Sequence, residues 1–262
     1  MELIALEELE TWMVVYFAII SFILGTVFGS FLNCAAWRIS RNMSFVKGRS
    51  ICPHCKHELS GRDLIPIISY FASGGKCRYC KEKVSPRYLL TETLFGCISL
   101  AMFLQDGLSV LYLRDFVFAC CLFCLSLVDL EKFEIPDGCI LISIIAWVAS
   151  LPFIELTLSY VLGHIAAAFV FGVGFLVLSL VMDKILQKES LGGGDIKLFF
   201  VMGLYLGLVG GVFAVILAAL MGLIFARGKE KIPFGPFISV ATWIMMIFGA
   251  PVVEWYLNLI FI

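Results

Sequence analysis

Gly192-Gly193-Gly194-Asp195-Ile196-Lys197 lies between two long apolar segments and places one carboxylate where a membrane helix should begin. An ionisable side chain at the edge of a bilayer segment is expensive to keep there, and it marks a functional site when a partner can be named. The partner in this chain is Asp129. Three successive glycines give the backbone freedom beside the acid and remove side-chain bulk, so that another backbone, such as an extended peptide, can approach closely. The plainer alternative is a flexible turn whose aspartate caps the next helix.

This reading requires a membrane protein, and composition supplies one. Of 262 residues, 61% are hydrophobic and only 15% charged, with a mean hydropathy of +1.01. A soluble globular domain of ordinary composition is excluded. The formal net charge of −1 gives no ground for a nucleic-acid partner, and none is expected. The placement of the charges is more informative: 11 of the 19 Lys and Arg lie between Arg38 and Arg87, against only Glu58, Asp63 and Glu82. The N-terminus, with Glu2, Glu7, Glu8 and Glu10, lacks the basic region of a secretory signal. The apolar run behind it is too long for one, so it reads as a retained first membrane helix.

Apolar segments set the number of spans. Residues 12–37 carry no charge and are long enough to cross a hydrocarbon core of about 30 Å at about 1.5 Å per residue. Gly25 and Gly29 on this span read as a small-xxx-small packing pair. Further spans are expected over 88–104, 111–128, 138–154 and 158–182. The run 196–226 is too long for one span, and Gly207 with Gly210-Gly211 offers a break, so it divides into two helices, the first short. The last span covers 236–256, after Pro233-Phe234-Gly235-Pro236, a turn stiffened by proline.

The fold class is therefore all-α, a polytopic membrane protein with about eight transmembrane helices. It divides into an N-terminal region with the first helix (1–37), a loop (38–87) and a seven-helix core (88–262). The positive-inside bias puts the 38–87 loop in the cytoplasm and both termini outside, and it makes the basic Arg227-Gly228-Lys229-Glu230-Lys231 stretch cytosolic as well.

Of ten cysteines, six lie in or beside apolar segments, where cysteine behaves as a small hydrophobe. The other four form Cys52-Pro-His-Cys55 and Cys77-Arg-Tyr-Cys80. Two such pairs present four thiolates tetrahedrally to one zinc ion and staple a loop too small and polar to build its own core. Four cysteines leave no open coordination position, so the zinc is expected to be structural. His54 and His57 read as solvated neighbours.

Parity places Asp129 and Asp195 at the same membrane face. Pro136 stops the third span and leaves Asp129 in its last turns; Asp137 reads as the cap of the fourth. Two aspartates held close cannot both ionise. They share a proton, so that one activates water as general base while the other donates to a peptide carbonyl. That is the device of an aspartic protease. Lys197 is expected at lipid headgroups, Glu92 at the interface or bonded to the loop, and His164 in a packing role. A proton-coupled transporter or a non-catalytic zinc-stapled scaffold are the alternatives; the first explains Asp129 but not two acids at one face with a CxxC loop.

Gly29-Ser30-Phe31-Leu32-Asn33 before a basic loop, the two CxxC pairs, Asp129 with Ile135-Pro136-Asp137, and Gly192-Gly193-Gly194-Asp195 with Lys197 together resemble the type IV prepilin peptidase family of GxGD-type membrane aspartic proteases. The resemblance spans nearly the whole chain. It implies cleavage of the leader of prepilins or pseudopilins after a glycine, at the cytoplasmic face of the bacterial inner membrane. It also implies N-methylation of the new amino terminus from S-adenosylmethionine. Asp129 and Asp195 match the catalytic pair of the family, Cys52, Cys55, Cys77 and Cys80 its cytosolic cysteines, and Gly75-Lys76 a segment associated with methyl transfer. Cys34 stands where many members have valine, a change at the level of packing.

Overall fold

The computed structural model describes residues 10–44, 48–154, 157–188, 190–226 and 232–260. Glu2, Glu7 and Glu8, together with the basic 227–231 stretch, fall outside that set. The described residues are helical throughout apart from loops and two isolated β-bridges. Their contacts divide them into two compact units, residues up to 108 and residues from 109 onward.

In the N-terminal unit, α1 (Thr11–Ile39) packs against α3 (Pro86–Asp106). Small residues make that approach possible. A Cβ on Gly25 would lie 2.6 Å from the Ser99 Cβ, and one on Gly29 would lie 3.1 Å from the Phe95 Cβ. The expected small-xxx-small pair is thus used for packing. Where the backbones come close, Ser21 and Ser99 exchange hydrogen bonds, each hydroxyl donating to the other residue's carbonyl at 2.9 and 2.8 Å. Between the two helices runs the loop, which contains the short α2 (Ile68–Ala72).

The second unit comprises α4 (Val110–Lys132), α5 (Asp137–Ser150), α6 (Leu158–Leu186), α7 (Gly193–Phe225) and α8 (Gly235–Ile260). Phe116, Phe118, Ala119, Leu122, Leu125 and Val128 of α4 are all buried, making it the central helix. It ends where the sequence predicts: Phe133 takes a left-handed conformation, and its N–H closes onto the Asp129 carbonyl. Lipid-facing positions on α6, such as Leu162, Phe169, Val173 and Leu180, stay exposed.

Six of these helices are long and apolar enough to cross a membrane, and α5 is a shorter apolar helix. α7 contains one non-helical residue, Gly207, at φ 67° and ψ −169°. The chain reverses there. The Phe234 ring lies near that of Phe199, with centroids 6.2 Å apart, and the same ring lies 2.9 Å from where a Cβ of Gly222 would be. In one straight helix, positions 199 and 222 would be about 35 Å apart. The long apolar run therefore forms two antiparallel arms, 193–206 and 208–225, which brings the apolar helical segments among the described residues to eight.

Candidate functional site

Asp129 sits in the last turn of α4 and is 5% exposed. Its Oδ2 accepts the backbone N–H of Gly235, the first residue of α8, at 2.9 Å. Asp195 lies in the first turn of α7, half-buried and within electrostatic reach of Asp129. Two further contacts draw these helix ends together. Ile135, just beyond α4, packs against Gly194, where a Cβ would be 2.9 Å from its own. Lys197 donates to Asp137 at 2.6 Å, an exposed bridge from α7 to α5.

The geometry refines four local readings. α7 starts at Gly193 with Gly192 as its cap, so Asp195 is inside the first turn and does not cap the helix. Pro136, not Asp137, occupies the capping position of α5, because the pyrrolidine ring presets the entry conformation. Lys197 reaches Asp137, a partner that its place in the sequence does not indicate. Of the three glycines, Gly194 is small because Ile135 needs the room, while nothing lies within 4 Å of a Cβ on Gly193.

Gly235 is the functional residue that sequence reading leaves as part of a turn. A Cβ there would stand 2.7 Å from Asp129 Oδ2, so only glycine gives this N–H access to the carboxylate. The neighbouring prolines mark a turn, but nothing in their spacing points to a hydrogen bond with Asp129. The lone His164 behaves as expected of a packing residue: Nδ1 meets the Leu204 carbonyl at 2.9 Å, a group set free by the break at Gly207.

In the loop, the two cysteine pairs fold alike. Cys52 N–H donates to the His57 carbonyl and Cys77 N–H to the Glu82 carbonyl, while Lys56 and Lys81 N–H return to the carbonyls of Cys52 and Cys77. Lys56 and Lys81 share a left-handed φ of 60° and 63°. These two congruent turns bring all four Sγ atoms within 4.8 Å of one another, close to the about 3.8 Å expected between thiolates around a tetrahedral zinc. Backbone N–H groups of Cys80 and Tyr79 hold the Cys77 thiol down at about 7. His57 stacks on Tyr79 at 3.6 Å between ring centroids and is not part of the cluster. Asp63 ties the loop together, accepting from Ser60 and Tyr79 and pairing with Arg78 at 3.2 Å. The Ser60 hydroxyl is the main cause holding its carboxyl below the usual range.

Gly75 turns the chain at φ +67°, and a Cβ there would lie 3.2 Å from the Tyr70 ring. Lys76 follows, bridged through its backbone to Lys83 and lining an internal cavity. Glu92 is bonded to the loop, as one of its two expected roles: Oε2 accepts the Ile67 N–H at 2.9 Å.

Residues 23–105 match the Bacterial Peptidase A24 N-terminal domain, and residues 116–227 match the Type IV leader peptidase family. A Bacillus subtilis protein named prepilin leader peptidase/N-methyltransferase is 29% identical, over 92% of this chain and 98% of its own length. An Escherichia coli protein named type 4 prepilin-like proteins leader peptide-processing enzyme is 31% identical, over 82% of this chain and 88% of its own. This chain belongs to the type IV leader peptidase family. An Aeromonas hydrophila member, named prepilin leader peptidase/N-methyltransferase, is 31% identical over 80% of this chain and 75% of its own. No solved structure matches. The two matched segments fall on either side of residue 108, where the contacts also divide the chain.

Proposed function

We propose that this chain is a multi-pass membrane aspartic endopeptidase that removes the leader from prepilins or pseudopilins at the cytoplasmic face and then N-methylates the new amino terminus. Asp129 and Asp195 are its catalytic pair. The observation that carries this reading is their convergence: the end of α4 meets the starts of α7 and α8, and a backbone N–H holds one carboxylate within electrostatic reach of the other. Neither a transporter nor a scaffold accounts for an acid held by a backbone N–H within electrostatic reach of a second acid.

Sharing one proton gives the pair its chemistry. The ionised carboxylate takes a proton from water, whose oxygen attacks the peptide carbonyl carbon, and the protonated partner donates to the carbonyl oxygen. Collapse of the resulting diol breaks the C–N bond as the leaving nitrogen gains a proton. Gly235 fixes Asp129 through Oδ2 and leaves Oδ1 for water or substrate, which is positional help of the kind that governs such rates.

Zinc fits the four thiols, which would fill its coordination sphere and leave no position for substrate; its role is to hold the loop. S-adenosylmethionine supplies an electrophilic methyl group, and Lys76, with Gly75 behind it, belongs to the loop assigned to hold it.

A prepilin-like peptide incubated with the protein in liposomes tests the reading by mass. The wild type should release the leader, and Asp129→Asn and Asp195→Asn should each abolish release while still inserting and folding. Unchanged substrate mass with wild-type protein would favour transport or scaffolding. Full activity in Asp195→Asn would show that the wrong carboxylates have been paired.

A further inference from the structure

A cavity of about 310 Å³ lies wholly within the N-terminal unit, between the C-terminal turns of α1, the loop and the first turns of α3. Its size is at the lower end of the range, roughly 300–1,000 Å³, that small-molecule sites occupy. Trp37, Tyr70 and Tyr88 give it aromatic walls, and Cys52 and Cys77 of the metal cluster form part of its lining.

Two of its polar side chains are already committed to the loop. The Arg38 guanidinium donates to the carbonyls of Gly48 and Arg49 at 3.1 and 2.9 Å, and Asp63 is taken by Ser60, Tyr79 and Arg78. Three others keep capacity to spare. Among the described residues, Lys76 has no ion pair, the Tyr70 hydroxyl has no hydrogen bond, and Glu92 uses only Oε2 although it is 7% exposed. A buried carboxylate ordinarily fills its acceptor positions. Glu92 also pins a strained turn: Ile67 has φ 62° and ψ −55°, and the Ile68 N–H reaches back to the Pro66 carbonyl at 2.5 Å. That is a γ-turn of the rare hand on a β-branched residue, a conformation kept only where the surroundings enforce it.

We propose that this cavity is the methyl-donor site and that Glu92, Lys76 and Tyr70 recognise the donor, an amino-acid sulfonium nucleoside. The assignment rests on the methyl-transfer part of the proposed function and says where that chemistry is housed. The donor's groups match the spare ones. Its carboxylate suits the Lys76 ammonium, its ribose hydroxyls and cationic groups suit the Glu92 carboxylate, and its purine face suits the Tyr70 or Trp37 ring. Gly75 does not line the cavity; it acts as a positioning residue, since its missing Cβ is what allows the Tyr70 ring to stand where it does.

Binding of radiolabelled S-adenosylmethionine to the purified full-length protein, measured by equilibrium dialysis, separates this assignment from the activity it rests on. Glu92→Gln and Lys76→Met should each weaken binding by about tenfold or more, the scale of one lost charged hydrogen bond. Lys83→Met, an equal charge change outside the cavity lining, should not. Leader cleavage and metal content serve as checks that each variant is folded. An azido-adenine analogue photolysed on the wild type provides a measurement that needs no variant, and it should label Trp37 or the segment 64–92. A wild type that binds and methylates, with both variants binding equally well or with labelling elsewhere, would overturn the site while leaving methyl transfer intact. A wild type that cleaves but neither binds the donor nor methylates would remove the methyl-transfer reading and this site together.

Discussion

Asp129 takes its hydrogen bond from a residue 106 positions away, and that bond exists because Gly235 lacks a side chain. Gly235→Ala would put a methyl group 2.7 Å from the carboxylate oxygen and displace it. Misplacement on the order of 1 Å costs on the order of a hundredfold in rate, so Gly235→Ala should lower kcat for leader cleavage to that extent while metal content and membrane insertion stay unchanged. Wild-type kinetics in this variant would mean that the N–H does not position the acid. If the two aspartates act as a unit, Asp129→Asn with Asp195→Asn should be no worse than either alone. Asp137→Asn should keep most activity, because its bridge to Lys197 is exposed and worth about 0–1 kcal/mol. The two acids are legible in the sequence because charge inside apolar sequence is conspicuous. Gly235 is not, since its contribution is a backbone N–H and an absent Cβ, and neither carries a compositional signal.

Among the helices, α7 shows how one residue makes two spans out of a single apolar run. Gly207 occupies a region of backbone space open to glycine almost alone, and the His164 ring is 3.4 Å from where its Cβ would be. Gly207→Ala should destabilise the fold by about 1–3 kcal/mol, read as a lower midpoint of unfolding in detergent; an unchanged midpoint would show that the reversal does not depend on glycine. The sequence offers Gly207 together with Gly210-Gly211 as the break. They separate only in three dimensions, where Gly211 proves to be a packing glycine, its Cβ position 2.3 Å from the Phe171 ring. The loop is more legible, because CxxC spacing encodes its own turn geometry. Replacing Cys52 and Cys55 with serine should take metal from about one ion per chain to near none and open the loop to protease. Wild-type protein free of stoichiometric metal, with its cysteine pairs oxidised to disulfides, would make the site a redox motif instead.

At the scale of the whole molecule, the apolar segments and their lengths follow from hydropathy, but the side on which the acids face follows only from the distribution of charge. The basic residues concentrate in 38–87, the segment that carries the two CxxC pairs. We propose from the positive-inside bias that this loop, and by parity the Asp129 and Asp195 helix ends, face the cytoplasm. Single cysteines at exposed positions can test this in a variant that keeps the four loop cysteines and lacks the other six. Ser60→Cys and Lys188→Cys should resist a membrane-impermeant thiol reagent applied to intact cells and react once the membrane is opened. Gln105→Cys, at an exposed position in the last turn of α3, should react from outside at once. Early labelling at residue 60 or 188 would invert the topology, placing both acids on the outer face, where a leader held in the cytoplasm could not reach them.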